Sequence, residues 1–292
     1  MSALPPRVTD VHVHMQPWET FLPATLERMR SGRPDFDRII AMSRDPKLFL
    51  AYLDSVGVER AALINYPAPD IMGFGHETND FALRYVAAAP DRLIAVGGVH
   101  PRLADDPGAA VERLADAGIR ALKIHPPHML VRPESHQDDT PAGRALAAIY
   151  AAAQRRRLPV IIHTGTSIFP GARVRFGDPI GIDDVAVDFP DLSIVMAHGG
   201  RPLWMQTCFF LMRRHPGVWL DLSGIPPRSL PEYFPRLREV ADRVLFGTDW
   251  PSPGVKDIGA NARALMDLPD DYLDAAAKKA ILQDNALRLY PG

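Results

Sequence analysis

The chain has 292 residues, of which 47% are hydrophobic and 23% charged, and its formal net charge is -2. Its 33 basic and 35 acidic residues give no cationic surplus of the kind that marks nucleic-acid-binding proteins, so we expect a small-molecule substrate and no nucleic-acid partner. No run approaches the roughly 18 apolar residues of a membrane span, and residues 1–7 lack the apolar stretch of a signal peptide. We therefore expect neither a membrane partner nor secretion.

Eight short apolar runs have the composition of buried β-strands, and longer helix-like segments separate them. The predicted strands are 8–13, 60–65, 93–99, 119–124, 159–163, 193–197, 218–222 and 244–247. The predicted helices include 77–89, 107–117, 141–157, 202–214, 229–240 and a final stretch, 270–290. This alternation, over a length near the roughly 250 residues of a typical barrel, predicts an α/β fold of the (β/α)8 TIM-barrel type. No Gly-x-Gly-x-x-Gly fingerprint follows the first strand, which disfavours a doubly wound sheet.

No composition change or internal repeat divides the chain, so residues 1–292 are predicted to form one domain, and a homo-oligomeric state stays open. The only cysteine, Cys208, excludes an intrachain disulfide and lies in a largely apolar segment, which favours buried packing. These features fit the reducing cytoplasm. Two long loops, 15–45 and 164–181, follow predicted strands 1 and 5, and they indicate a covered substrate site at the catalytic face of a barrel.

The first predicted strand carries His12 and His14, whose side chains point to the same face because they are two residues apart. Two histidines supply only part of the three or four protein ligands that zinc takes, and alone they are equally compatible with ordinary polar residues. At the ends of three other predicted strands, in the last position or within two residues after it, lie polar residues of matching chemistry: His163, His198 and Asp249. Coincidence does not readily explain such residues at four strand ends, so we expect them to form one site.

Chemically, the imidazoles of His12, His14 and His163 and the carboxylate of Asp249 suit one divalent metal ion, with Zn²⁺ the first choice and a position left for water. Such an ion would lower the pKa of a water from 15.7 toward about 7 and polarise a substrate carbonyl, while Asp249 accepts the proton. His198 is interpreted as an acid/base group or electrophile toward the substrate. A further metal ligand is its alternative role.

The chain resembles the amidohydrolase superfamily, specifically the branch called amidohydrolase family 2. The resemblance rests on motifs that follow in order along nearly the whole chain: Asp10-Val11-His12-Val13-His14, Lys123-Ile124-His125-Pro126-Pro127, His163-Thr164-Gly165-Thr166, Ala197-His198-Gly199-Gly200 and Phe246-Gly247-Thr248-Asp249-Trp250-Pro251. It implies a TIM-like barrel with one zinc or similar ion held by the first-strand histidine pair, His163 and Asp249. None of these four positions is substituted, so the resemblance implies catalysis.

Further candidate residues follow from their places in the sequence. In other branches of the superfamily, a lysine on the fourth strand can be carboxylated and bridge two metals. The sequence around Lys123 instead resembles the mononuclear branch, where an uncarboxylated lysine could orient an anionic substrate or pair with Asp249. His125 shares its strand face, although Pro126 leaves the direction of its side chain open. Arg173 and Arg201 could bind a carboxylate, with solvated arginine as the alternative. Trp250 is the best placed tryptophan for an aromatic wall, with ordinary packing as the alternative.

The resemblance leaves the reaction class open, because the branch includes hydrolases of amides and lactones, non-oxidative decarboxylases and a few hydratases. We prefer a hydrolase that uses metal-activated water on a lactone, amide or related carbonyl of a small substrate that is carboxylated or aromatic, since many decarboxylases of this branch are longer. The first alternative is a decarboxylase (carboxy-lyase) of an aromatic or unsaturated acid. The second is a catalytically silent metal-binding barrel.

Overall fold

The computed structural model describes residue 5 and residues 7–290, and within this part every predicted strand is present. The strands are β1 Thr9–Val13, β2 Arg60–Ile64, β3 Leu93–Gly97, β4 Ala121–Ile124, β5 Val160–His163, β6 Ile194–Ala197, β7 Val218–Asp221 and β8 Val244–Leu245. All of their residues are buried, as in parallel sheets that are covered on both faces. The prediction that residues 1–7 contain no signal peptide falls mostly on residues that the structure does not describe.

The strands form one parallel sheet in the order β1 to β8, in which each strand pairs with the next. The sheet closes where the chain after β8 returns to β1. The amide of Val11 donates to the carbonyl of Phe246 at 2.9 Å, and the amide of Asp249 donates to the carbonyl of His12 at the same distance. The predicted (β/α)8 barrel is therefore confirmed, with the carboxyl ends of all eight strands at one mouth.

Helices surround the barrel and several begin with the signals expected of a helix start. Asp45, Asp106 and Thr140 accept hydrogen bonds from backbone amides of the first turn, and each precedes a proline at the first helical position. The α-helices are α1 Pro23–Ser31, α2 Phe36–Arg44, α3 Pro46–Val56, α4 Glu77–Val86, α5 Pro107–Ala117, α6 Pro126–Met129, α7 Pro141–Arg156, α8 Ile182–Asp188, α9 Met205–Arg214, α10 Leu230–Tyr233, α11 Ile258–Met266, α12 Ala275–Lys279 and α13 Asn285–Leu289.

Three segments differ from the sequence-based prediction. Segment 15–45, expected as a loop, contains α1 and α2, and α2 buries Phe36, Ile39 and Ile40 at helical spacing. Segment 229–240, expected as one helix, breaks after α10 because Pro235 lacks an amide hydrogen and disfavours helical geometry at the residue before it. The last predicted helix begins only at α12 and passes through a π-helical turn, Ala280–Asp284, before α13.

The hydrophobic core fills the barrel and the layer between the barrel and its helices. Cys208 on α9 is fully buried, as its apolar segment predicts. Among residues 7–290, the structure has no helix long and apolar enough to cross a membrane.

Candidate active site

A pocket of about 750 Å³, partly open to solvent, lies at the carboxyl ends of the strands. The polar residues from strand ends that line it are His14, Lys123, His125, His163, His198 and Asp249. Trp18, Phe21 and Met29, from the segment between β1 and the end of α1, also line it. The first long loop therefore contributes to the cover of the pocket, and its helix α1 supplies part of this wall.

His12, His14 and Asp249 come together beside this pocket. One ligand atom of each lies within 4.8 Å of the others, and Asp249 Oδ1 is 3.1 Å from His14 Nε2 and 3.6 Å from His12 Nε2. Burial acts to raise the pKa of Asp249, but the hydrogen bond from His14 and the nearby His198 hold it below its usual value. The Asp249 carboxyl group is therefore ionised at neutral pH.

The ring of His12 is oriented by Asp221, the last residue of β7, because its Nδ1 lies 2.5 Å from Asp221 Oδ2. The carboxylate accepts only, so Nδ1 carries the hydrogen and Nε2 presents a lone pair. Ser223 supports Asp221 through its amide, at 2.8 Å from Oδ1, and through its hydroxyl, at 2.9 Å from Oδ2. This carboxylate–imidazole pair is the arrangement that fixes the tautomer of metal-binding histidines.

His198 joins the same hydrogen-bonded group. Its Nδ1 lies 3.1 Å from the carbonyl oxygen of Ser223 and 3.0 Å from the Ser223 hydroxyl. Since a carbonyl only accepts, Nδ1 carries the hydrogen, and no partner for Nε2 is found in the described part of the chain. Burial lowers the pKa of His198 to about 3, so the ring is neutral and Nε2 presents a lone pair.

The backbone is unusual at two of these residues. His198 and Asp249 have φ angles of 65° and 68°, in the left-handed region that non-glycine residues rarely adopt. Such conformations concentrate at functional sites, where the surrounding structure holds them. They place both side chains in the pocket lining.

His163 is positioned differently from His12. Both of its ring nitrogens are buried without a hydrogen-bond partner among the described residues, and its ring stacks on His125 with centroids 3.8 Å apart. His125 stacks in turn on His128 at 3.5 Å. Within residues 7–290, no group of three ligands at the 4.8 Å spacing includes His163, although its ring centroid is 4.7 Å from that of His198.

Two cationic side chains line the pocket, and neither forms an ion pair with another described residue. Lys123 is 1% exposed, its Nζ has no hydrogen-bond partner in residues 7–290, and burial lowers its pKa to about 8 even though Asp221 and Asp249 oppose the shift. The predicted pairing of Lys123 with Asp249 is not seen as an ion pair in this part of the chain. Arg201 has a buried Nε that also lacks a partner there. Both groups suit an anionic ligand.

Two predicted substrate contacts lie outside the pocket lining. Arg173 is exposed on the loop after β5. Trp250 is 2% exposed and stacks on Tyr52 and Phe49, with ring centroids 5.2 and 5.9 Å apart. It follows Asp249 directly, and its ring packs against α3, which carries both Phe49 and Tyr52.

Sequence reasoning missed Asp221, Ser223 and His128. Asp221 ends an apolar strand just as His163 does, so the criterion that selected His163 also identifies it. His128 lies three residues after His125 on the short helix α6, where no periodicity indicates the direction of its side chain.

The donor set fits a divalent metal ion. His12 Nε2 is buried without a hydrogen-bond partner in the described residues. Because Nδ1 carries the ring hydrogen, Nε2 has the free lone pair that a metal requires, and the carboxylate of Asp249 lies next to it. Two imidazoles and a carboxylate, with a third imidazole from His163 at the end of β5, are ligands typical of zinc and related ions.

Known proteins resemble this chain in sequence and in fold. One curated relative, 2-pyrone-4,6-dicarboxylate hydrolase of Comamonas testosteroni, is 33% identical over a match that covers 36% of this chain and 46% of the relative. The chain thus spans less than half of the length of that relative.

Two solved structures share the fold over nearly their whole length. An uncharacterized TIM-barrel protein of Bordetella bronchiseptica has a TM-score of 0.75 and 23% identity, with 97% of this chain and 98% of that chain covered. The 5-carboxyvanillate decarboxylase of Novosphingobium aromaticivorans, in complex with manganese and a nitrobenzoic acid, has a TM-score of 0.63 and 18% identity, with 99% and 96% covered. The sequence model of the amidohydrolase family matches residues 9–292, and this chain therefore belongs to that family of enzymes.

Proposed function

We propose that this protein is a metal-dependent hydrolase of a small carboxylated substrate that contains a lactone, amide or related carbonyl. The observation that carries this proposal is the meeting of His12, His14 and Asp249 beside a pocket that is also lined by Lys123 and Arg201. A concave pocket lined by apolar side chains and a few charged groups suits a small molecule. We also propose that residues 1–292 act as one domain, since the family match extends over residues 9–292.

His12, His14, His163 and Asp249 would hold one divalent ion, for which zinc is our proposal because imidazole nitrogens suit it. When bound, the ion would supply an acidified water and a polarised carbonyl. Asp249 accepts the proton of the attacking water through its ionised carboxylate. His198 faces the substrate with the lone pair of Nε2, and Lys123 and Arg201 orient a substrate carboxylate.

Hydrolysis is preferred over decarboxylation because the curated relative with 33% identity is a hydrolase of a pyrone dicarboxylate. The structurally similar 5-carboxyvanillate decarboxylase keeps decarboxylation as a second candidate, and its bound manganese makes manganese the alternative to zinc. A silent metal-binding barrel is the third hypothesis.

One experiment separates the three. The purified protein, with its metal content measured, is incubated with 2-pyrone-4,6-dicarboxylate and with 5-carboxyvanillate, while ring-opened product and CO2 are followed together. We expect ring opening that Asp249→Asn abolishes. CO2 release that Asp249→Asn abolishes would instead establish the decarboxylase, and one metal per chain without turnover across a wider panel of lactones, amides and acids would establish the silent barrel.

A further inference from the structure

His128 lies behind the pocket wall between two hydroxyl groups that line the pocket. Its Nδ1 is 3.2 Å from the Tyr66 hydroxyl, and its Nε2 is 3.0 Å from the Ser167 hydroxyl. Tyr66 and Ser167 both line the pocket, whereas His128 is 3% exposed and does not. The proposed reaction assigns no role to any of these three residues.

The His128 ring couples the two hydroxyls because a neutral imidazole donates from one nitrogen and accepts at the other. Burial lowers the pKa of His128 to about 3, so the ring is neutral under ordinary conditions. If Nδ1 accepts from Tyr66, then Nε2 donates to Ser167, and the reverse tautomer reverses both bonds. Therefore only one of the two hydroxyls, that of Tyr66 or that of Ser167, keeps a hydrogen that it can donate to a ligand in the pocket.

Burial indicates which hydroxyl is free. Tyr66 is 1% exposed, and among the described residues its hydroxyl has no hydrogen-bond partner besides His128. Were His128 to donate to Tyr66, the phenol hydrogen would lose its acceptor inside the protein, which is unfavourable for a buried donor. Tyr66 therefore donates to Nδ1, and the hydrogen of His128 is on Nε2.

The surroundings of Ser167 agree with this direction. Its oxygen also accepts from the amide of Phe169 at 3.3 Å, so a second hydrogen bond from His128 Nε2 occupies both lone pairs. The hydroxyl hydrogen of Ser167 is then left for the pocket, where the side chain is only partly buried.

We propose that His128 is a positioning residue which directs the Ser167 hydroxyl hydrogen into the pocket, where it selects ligands that place a carboxylate or carbonyl oxygen at that wall. This inference rests on the proposed function for the role of the pocket, but the direction of the hydrogen bonds does not depend on any reaction. Its test therefore begins with the protein alone.

The first measurement is the tautomer of His128 in the ¹⁵N-histidine-labelled protein without ligand, read from long-range ¹H–¹⁵N correlations. His128→Gln identifies the signal among the ten histidines by its disappearance. We expect the Nε2–H form, and Tyr66→Phe should shift the Nδ1 resonance by removing its donor. An Nδ1–H form in the wild type overturns the proposal.

The second measurement is binding of isophthalate, an unreactive aromatic dicarboxylate, followed by calorimetry. Ser167→Ala should raise the Kd by about 2- to 10-fold, as expected for the loss of one hydrogen bond. His128→Gln places an amide near the position of Nε2 and should stay within about twofold of the wild type. His128→Asn places its amide near Nδ1 and should match Ser167→Ala.

The matched control is His215→Gln, which removes an imidazole bonded to Asp183 away from the pocket and should leave the Kd unchanged. An unchanged Kd in Ser167→Ala, or no isophthalate binding by the wild type, overturns ligand selection by Ser167. If isophthalate binds as expected while neither reaction substrate is turned over, the proposed reaction fails and the role of His128 stands.

Discussion

The histidines in and beside the pocket fall into two groups that are held by different forces. In the first group, which we call the hydrogen-bonded wall, His12 and His198 are hydrogen-bonded through Asp221 and Ser223, which fixes both the tilt and the tautomer of each ring. In the second, which we call the stacked wall, His163 has no hydrogen-bond partner in the described residues and is held by stacking on His125. Hydrogen bonds specify which nitrogen carries a proton, whereas stacking specifies only the plane of the ring.

This difference predicts a division of roles. The hydrogen-bonded wall determines protonation and should be intolerant of change, while the stacked wall leaves both nitrogens of His163 free to adapt to a ligand. Four experiments test this comparison.

The largest effect is expected from removing a candidate ligand. His12→Ala should abolish stoichiometric metal binding and lower kcat/KM more than about 100-fold, because partners one shell farther out already contribute up to that factor. His163→Ala should also lose metal. Metal analysis by mass spectrometry and steady-state kinetics measure both, and one metal per chain with full activity in both variants would refute the metal site.

Asp221→Asn should lower metal affinity or activity about 10- to 100-fold, since the amide no longer stabilises the Nδ1–H tautomer of His12. Competition with a chromophoric chelator measures the affinity. Asp242→Asn, which changes a carboxylate that is 70% exposed, is the matched control and should behave as the wild type. Equal affinities for Asp221→Asn and the control would remove the distinction between the walls.

Gly247→Ala tests how tightly the hydrogen-bonded wall is packed. A Cβ at Gly247 would overlap Asp221 Oδ1 and lie 3.0 Å from His12 Cβ, so we expect the free energy of unfolding to fall by about 1–3 kcal/mol. Gly254→Ala, where no atom lies within 4 Å of the added carbon, should leave it nearly unchanged. Urea denaturation compares the two, and equal midpoints would show that Asp221 moves at little cost.

The smallest effect is expected on the stacked wall. His125→Leu removes the ring that supports His163 and should weaken metal binding by about 2- to 10-fold, since an aromatic pair contributes roughly 0.5–1.5 kcal/mol. His125→Phe retains a ring and should stay within about twofold. Chelator competition checks both, and a loss as large as that of Asp221→Asn would show that the two walls are equally demanding.

The sequence permits prediction of the barrel and of most residues at its mouth, because parallel strands are continuous apolar runs that stop at a polar residue. His163, His198 and Asp249 stand out for that reason. Trp250 does not reach the pocket lining because its ring packs on Phe49 and Tyr52, far away in the sequence, and such contacts leave no local signal. Asp221 follows the same pattern as His163, but a strand predicted one residue too long hides it within the apolar run.

The contribution of helix α1 to the pocket and the position of His128 behind it are harder to predict from the sequence. Helix α1 has few buried residues, so its amphipathic pattern is weak and only tertiary contacts reveal that Met29 reaches the pocket. The His128 ring lies between two hydroxyls that are 62 and 39 positions away in the chain, and such contacts leave no local signature.

The left-handed backbone at His198 and Asp249 has a consequence for protein engineering. Asparagine tolerates this region better than other L-residues because its short side chain bonds locally to the backbone, so Asp249→Asn changes charge while sparing the loop. A β-branched replacement at either position would instead strain the loop and confound chemistry with folding. Libraries aimed at new substrates should therefore retain His198 and Asp249 and place their diversity on residues with ordinary backbone geometry.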